Sequence, residues 1–210
     1  MVLVPRTSME RLPFAESSFD LVTSQFGIEY GNSELIAGEV ARVLRFGGQI
    51  LLLVHHTSGP VVAHNRDRQA ALRWALSDED FWLRARDCAG SESFGSQQAQ
   101  NYFQGRVREA LACFPAQRAA AEVREAVRRT LAGGVHAKPQ QVLATLSELS
   151  QMVEHECCRI EALLAAARDA GGAADMVNQF AAAGLAMQAP ETVSEGQGAA
   201  PFAWLIKGER

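Results

Sequence analysis

The chain has 210 residues, enough for one domain with a substantial core or one domain plus a helical appendage. Hydrophobic residues make up 48% and charged residues 21%, the balance of a soluble globular protein. The net charge of −4 argues against nucleic acid as a partner, because phosphate binding needs a concentrated basic patch, and Arg66, Arg68 and Arg73 sit among acids and amides.

No apolar run approaches the roughly 20 residues that a membrane span needs. Met1 to Arg11 lacks the charged-then-apolar layout of a signal peptide. Cys88, Cys113, Cys157 and Cys158 form no CxxC pair, so no zinc or other metal site is expected and the thiols read as reduced, in a cytoplasmic protein.

Taken in order, Met1 to Arg11 is a lead-in in which Val2, Leu3 and Val4 offer a strand stub restricted by Pro5. Phe19 to Ser24 reads as a strand from its β-favouring side chains. Asn32 or Ser33 can cap a helix whose apolar stripe is Leu35, Ile36, Val40, Val43 and Leu44, with Gly47-Gly48 as its stop. Gln49 to His56 follows as a strand, and its run Ile50 to Val54 predicts burial on both faces, as in the centre of a parallel sheet. Strand, helix and parallel strand make a right-handed βαβ unit.

Past Gly59-Pro60 only helical patterns appear. They cover Arg66 to Cys88, Ser96 to Phe114, Ala116 to Leu131 and Pro139 to Ala170, the last closed by Gly171-Gly172. The last would be roughly 45 Å long if unbroken; it either packs on its own domain or offers a coiled-coil seam to a second subunit. A short helix, Ala173 to Ala183, precedes a strand at Leu185 to Gln188, a turn at Glu195 to Gly198 and a final strand at Pro201 to Lys207. Two strands this close in sequence pair best antiparallel.

The wording as well as the pattern carries a resemblance. SMERLPFAESSFDLVTSQFGIEY and EVARVLRFGGQILLLVHH resemble the later part of class I S-adenosylmethionine-dependent methyltransferases, specifically methyltransferase type 11. The tail FAAAGLAMQAP with GAAPFAWLIKGER is similar to that family's closing antiparallel pair. The resemblance implies an α/β fold: a partial Rossmann-like sheet of the later strands, with an antiparallel last strand and a large helical insertion. The domains would be 1–58 with 185–210 as partial methyltransferase core, and 59–184 as helical insertion, lid and crossover helices. Phe46 stands where the family usually has Pro in its Pro-Gly-Gly turn.

The implied cofactor is S-adenosylmethionine and the implied acceptor a small molecule. By position in the family's pattern, Ser8 and Met9 match the residues beside the adenine, and Gln25 and Phe26 end a strand at the ligand-binding edge. His55 and His56 end the next strand on that edge, where a histidine is a candidate general base for an oxygen nucleophile or a structural pair. Glu29 and Tyr30 lie near the same edge and are given no role.

The family's first half, with its glycine-rich loop and ribose-binding acid, has no counterpart in this sequence, so the domain reads as amino-terminally truncated. Phe19 to Ser24 is then expected to be a bare strand edge. The chain continues a longer polypeptide, is a degenerate remnant, or has that edge covered by a partner chain or by a second copy in a homodimer. The alternative to an enzyme is a catalytically inactive interaction or dimerisation module.

Overall fold

The computed structural model describes residues 3–89, 96–134, 137–196 and 198–210. Within the proposed lead-in strand, Val2 lies outside the described residues, and Leu3 and Val4 are not in a strand. Of the proposed turn at Glu195 to Gly198, residue 197 lies outside them as well.

The chain divides into two compact units, Met1–Ala63 with Ala162–Arg210, and His64–Glu161. The expected limits were 1–58 with 185–210; helix α7 (Ala170–Ala182) instead falls in the unit that holds the sheet.

That first unit is mixed α/β. Strand β1 (Phe19–Gln25) leads through helix α1 (Ser33–Val43) to strand β2 (Leu44–His55), and the two strands pair in parallel. Helix α1 starts where the sequence predicts, because the Asn32 side chain accepts from the N–H groups of Glu34 and Leu35. Its buried stripe is Ile36, Ala37, Val40 and Val43, whereas Leu35, expected inside, is 54% exposed.

Gly47-Gly48 does not stop this helix. The helix ends at Val43, and both glycines lie inside β2. Leu44 pairs with Phe19 and Gln49 with Leu21, so residues 45–48 of β2 stand opposite Asp20 alone. Gly47 takes a left-handed φ of +75° in this bulge. A Cβ on Gly48 would stand 2.9 Å from the Arg45 carbonyl oxygen. The glycines serve a bend in a strand, which uses the same backbone freedom as a helix stop.

Strands β3 (Ala186–Met187), β4 (Glu191–Ser194) and β5 (Pro201–Glu209) complete the sheet. The order is β1-β2-β5-β3, with β4 also on β5, and β5 is antiparallel to β2, β3 and β4. This is the expected Rossmann-like arrangement with an antiparallel last strand; β4 was not foreseen. Among the described residues no strand pairs with the outer side of β1.

One sheet face carries the core: Ile50, Leu52, Val54, Trp204 and Ile206 pack with Ile36 and Val40 of α1 and Met176 and Phe180 of α7. The expectation that β2 is buried on both faces is corrected here. Alternation turns Leu21 and Leu51 to the other face, where they are 52% and 40% exposed. An apolar strand calls for two covering layers, and α1 and α7 both pack with the residues of one face.

The second unit is helical: it takes in most of α2 (Pro60–Leu76), then α3 (Glu79–Cys88), α4 (Gln97–Cys113), α5 (Ala119–Gly133) and most of α6 (Pro139–Ala166). The single helix expected over Arg66 to Cys88 is broken because Asp78 leaves α2 and caps α3, its side chain accepting from the Phe81 N–H. The long helix ends at Ala166, since Asp169 caps α7 by accepting from the Gly172 N–H; Gly171 and Gly172 open a helix here. Phe81 packs edge-on against Trp82 and Phe103. No helix among the described residues is long and apolar enough to cross a membrane.

Candidate functional site

Open α/β sheets bind ligands beyond the carboxyl ends of their parallel strands. Here that edge is formed by Gln25 at the end of β1 and Phe26 after it, the 3-10 turn Ile28–Tyr30, His55 at the end of β2 and His56 after it.

Phe26 has a φ of +54°. A bulky side chain is rarely held in that region, and holding it there costs on the order of 1–3 kcal/mol. The Phe26 N–H nevertheless donates to the Leu53 carbonyl at 2.9 Å. The distorted backbone sets the Phe26 ring 4.3 Å from the His55 ring, at an interplanar angle of 37°.

Glu29, given no role from the sequence, faces His55. Glu29 Oε1 lies 2.7 Å from His55 Nδ1 and also accepts from the His55 backbone N–H at 3.2 Å. The Glu29 side chain is 0% exposed and that of His55 10%. Glu29 Oε2 is buried without a hydrogen-bond partner. With a carboxylate at Nδ1, that nitrogen must be the donor, so a neutral His55 ring carries its free lone pair on Nε2. Chemically, such a ring can take a proton at Nε2 while its new charge lies against the carboxylate.

Arg168, which precedes α7, fixes both partners. Its N–H donates to the His55 carbonyl at 2.8 Å, and its guanidinium to the Glu29 carbonyl at 3.3 Å. The Arg168 carbonyl in turn accepts from the Trp204 indole at 2.9 Å and the Thr57 N–H at 3.0 Å.

His56 is set apart from this group. Its ring stacks on Trp204 at 4.9 Å, and its Nδ1 accepts from the Ser58 N–H at 3.0 Å. Strand alternation sends these adjacent histidines to opposite sides. The sequence offered both as candidates; the structure gives only His55 a carboxylate partner.

Ser8 and Met9 lie on the exposed lead-in, where the Ser8 hydroxyl accepts from the Glu10 N–H at 3.2 Å. The lead-in is tied beside the β1 edge, since Glu10 accepts from the Asn32 N–H at 2.9 Å. A Cβ on Gly31 would stand 3.5 Å from the Met9 methyl and 2.6 Å from Ile36 Cδ1. Polar Ser8 and Gln25, with soft Met9 and aromatic Phe26, are donor and packing types that fit a purine. A phosphate or carboxylate cradle is not matched by these residues. Of the glycines beside β1, Gly27 leads into the 3-10 turn and Gly31 follows it, against the chain's own Ile36.

Glu29 could have been found in the sequence only by its place, a lone acid between Ile28 and Tyr30 just past a strand; nothing in that pattern separates it from a solvated turn residue. Among the described residues no three His, Cys, Asp or Glu side chains gather as a metal site.

Residues 3–52, which take in the lead-in, β1, α1 and most of β2, match a family model described as a methyltransferase domain. No curated protein and no solved structure gives a significant match.

Proposed function

We propose, from the membership of residues 3–52 in the methyltransferase domain family, that the chain serves methyl transfer from S-adenosylmethionine to a small-molecule acceptor. The observation that carries this reading is the β1–α1–β2 unit, whose carboxyl edge lies beside the lead-in within the matched segment. Ser8, Met9, Gln25 and Phe26 are the residues that suit the adenine side of the donor. When bound, S-adenosylmethionine supplies a methyl group on a sulfonium that is already a good leaving group. The chain's own residues then have to orient an acceptor and exclude water.

No glycine cradle for the methionine side is found among the described residues. We assign that part of the site to chain beyond these residues, of the same polypeptide, another copy or a partner, that adds a strand to the open side of β1. The same open side, with Leu21 52% exposed beside it, favours a second reading: an inactive module whose role is association.

Ultraviolet cross-linking of radiolabelled S-adenosylmethionine to the full chain, followed by peptide mapping, tests the proposal. Label on peptides spanning residues 8–26, displaced by S-adenosylhomocysteine, is the expected result. Label elsewhere, or label that S-adenosylhomocysteine does not displace, removes the methyl-transfer reading and leaves the association module.

A further inference from the structure

We infer that Glu29 and His55 form the proton-accepting pair of this site: His55 takes the proton of a hydroxyl-bearing acceptor at Nε2, and Glu29 is the positioning residue that holds the ring for it. The class of acceptor rests on the methyl-transfer reading; the pair itself does not.

Three observations meet here. The first is the 2.7 Å contact between Glu29 Oε1 and His55 Nδ1, which fixes one ring nitrogen as the donor and leaves the other as an acceptor. The second is the wholly buried Glu29 side chain with Oε2 unpartnered. A carboxylate out of water is unfavourable unless a cation or donors compensate it. With Oε2 lacking a donor, the nearby imidazole is the group placed to set a positive charge against this carboxylate. The third is the left-handed Phe26, whose ring lies 4.3 Å from that of His55. Backbone strain in an aromatic residue persists only where surrounding structure enforces it, and such strain clusters at ligand sites.

The His55 side chain keeps 10% of its exposure, whereas that of Glu29 has none. The step balances without a further reagent. The acceptor's O–H bond breaks, its proton forms an N–H bond at Nε2, and the electron pair stays on oxygen. That pair becomes the bond to the transferred methyl carbon while the pair of the broken carbon–sulfur bond goes to sulfur. The imidazolium formed faces the Glu29 carboxylate. An acceptor with a phenolic or similarly acidic hydroxyl is therefore the class this site takes.

The experiment uses the full chain labelled with ¹⁵N-histidine. Long-range ¹H–¹⁵N spectra are expected to show His55 protonated at Nδ1, and Glu29→Gln to weaken that preference; a His55 ring protonated at Nε2 in the unaltered chain overturns the inference. As a second readout, 4-nitrocatechol is added at a pH where the free probe is neutral. The phenolate absorbance band is expected to appear on binding, to disappear in His55→Gln, to weaken in Glu29→Gln and to persist in His155→Gln, a change at an exposed site. A structural pair gives the same tautomer but leaves the probe's ionisation unchanged. Absence of the band, or its survival in His55→Gln, removes the role of the pair. A band that follows His55 in a protein that fails the cross-linking experiment removes the methyl-transfer reading instead.

Discussion

Glu39 and Arg42, one turn apart on α1, are paired at 2.8 Å and together hold the lead-in against the sheet unit. Glu39 accepts from the Leu12 N–H at 2.7 Å, while the Arg42 guanidinium donates to the Phe14 carbonyl at 2.7 Å and the Leu12 carbonyl at 3.1 Å. The segment carrying Ser8 and Met9 is therefore anchored at its far end by backbone contacts to one helix face.

A pH dependence follows from this pair. Hydrogen bonding from Arg42, then from the Leu12 N–H, holds the Glu39 carboxyl at about 2, below its ordinary value of 4.5. Arg159, with Arg68, does the same to Glu156, also to about 2. A carboxyl lowered in the folded state stabilises the fold above its unfolded pKa, and that contribution is lost as pH falls through the folded one. Urea midpoints are expected to fall between about pH 4.5 and pH 2, less steeply in Glu39→Gln. A midpoint constant over that range would mean that the two carboxylates add nothing to stability.

Asp78 is expected to be the most sensitive position of the helical unit. It caps α3, accepts from the Arg124 guanidinium at 2.7 Å and is paired with Arg106. Arg124 is wholly buried, its guanidinium 3.8 Å above the Phe81 ring, and burial pulls its pKa down to about 10. Asp78→Ala strands that charge and is expected to destabilise by roughly 3–5 kcal/mol, whereas Arg124→Met removes the charge with its need for a partner and should cost clearly less. Chemical denaturation of both variants measures the difference, and equal losses would show that loss of the ion pair itself, not a stranded charge, sets the cost.

Calorimetric titration of the chain alone with S-adenosylmethionine is expected to show very weak binding, enough for cross-linking at high ligand concentration but far from micromolar, because the described residues hold no glycine cradle. Micromolar affinity in this experiment would place the methionine side within the chain itself.

The open side of β1 is expected to mediate association. Sedimentation velocity should show concentration-dependent growth for the unaltered chain and a monomer for Leu21→Lys, which sets a charge at the exposed edge without touching the core. A monomer at high concentration in both would leave a different partner chain as the occupant of that edge.

The elements with strong local signals were legible. Strand β1, the Asn32 cap of α1, the extent of α4 and the antiparallel end of the sheet all stand within a few residues of their expected places. The misreadings came from residues whose local preference serves two structures. Gly47-Gly48 bends a strand instead of ending a helix, Gly171-Gly172 opens α7 instead of closing α6, and Asp78 interrupts what reads as one apolar stripe.

By itself the sequence determined the βαβ unit, the family resemblance of that segment and the edge at which a ligand site is expected, since periodicity, caps and motif wording are local properties. The tertiary structure alone decided which of two adjacent histidines has a carboxylate partner. Glu29 and His55 lie 26 residues apart, on a 3-10 turn and a strand end, and only chain packing brings them to 2.7 Å. It also decided that Leu51 is exposed, because burial depends on which layers cover a sheet and not on the strand's own residues.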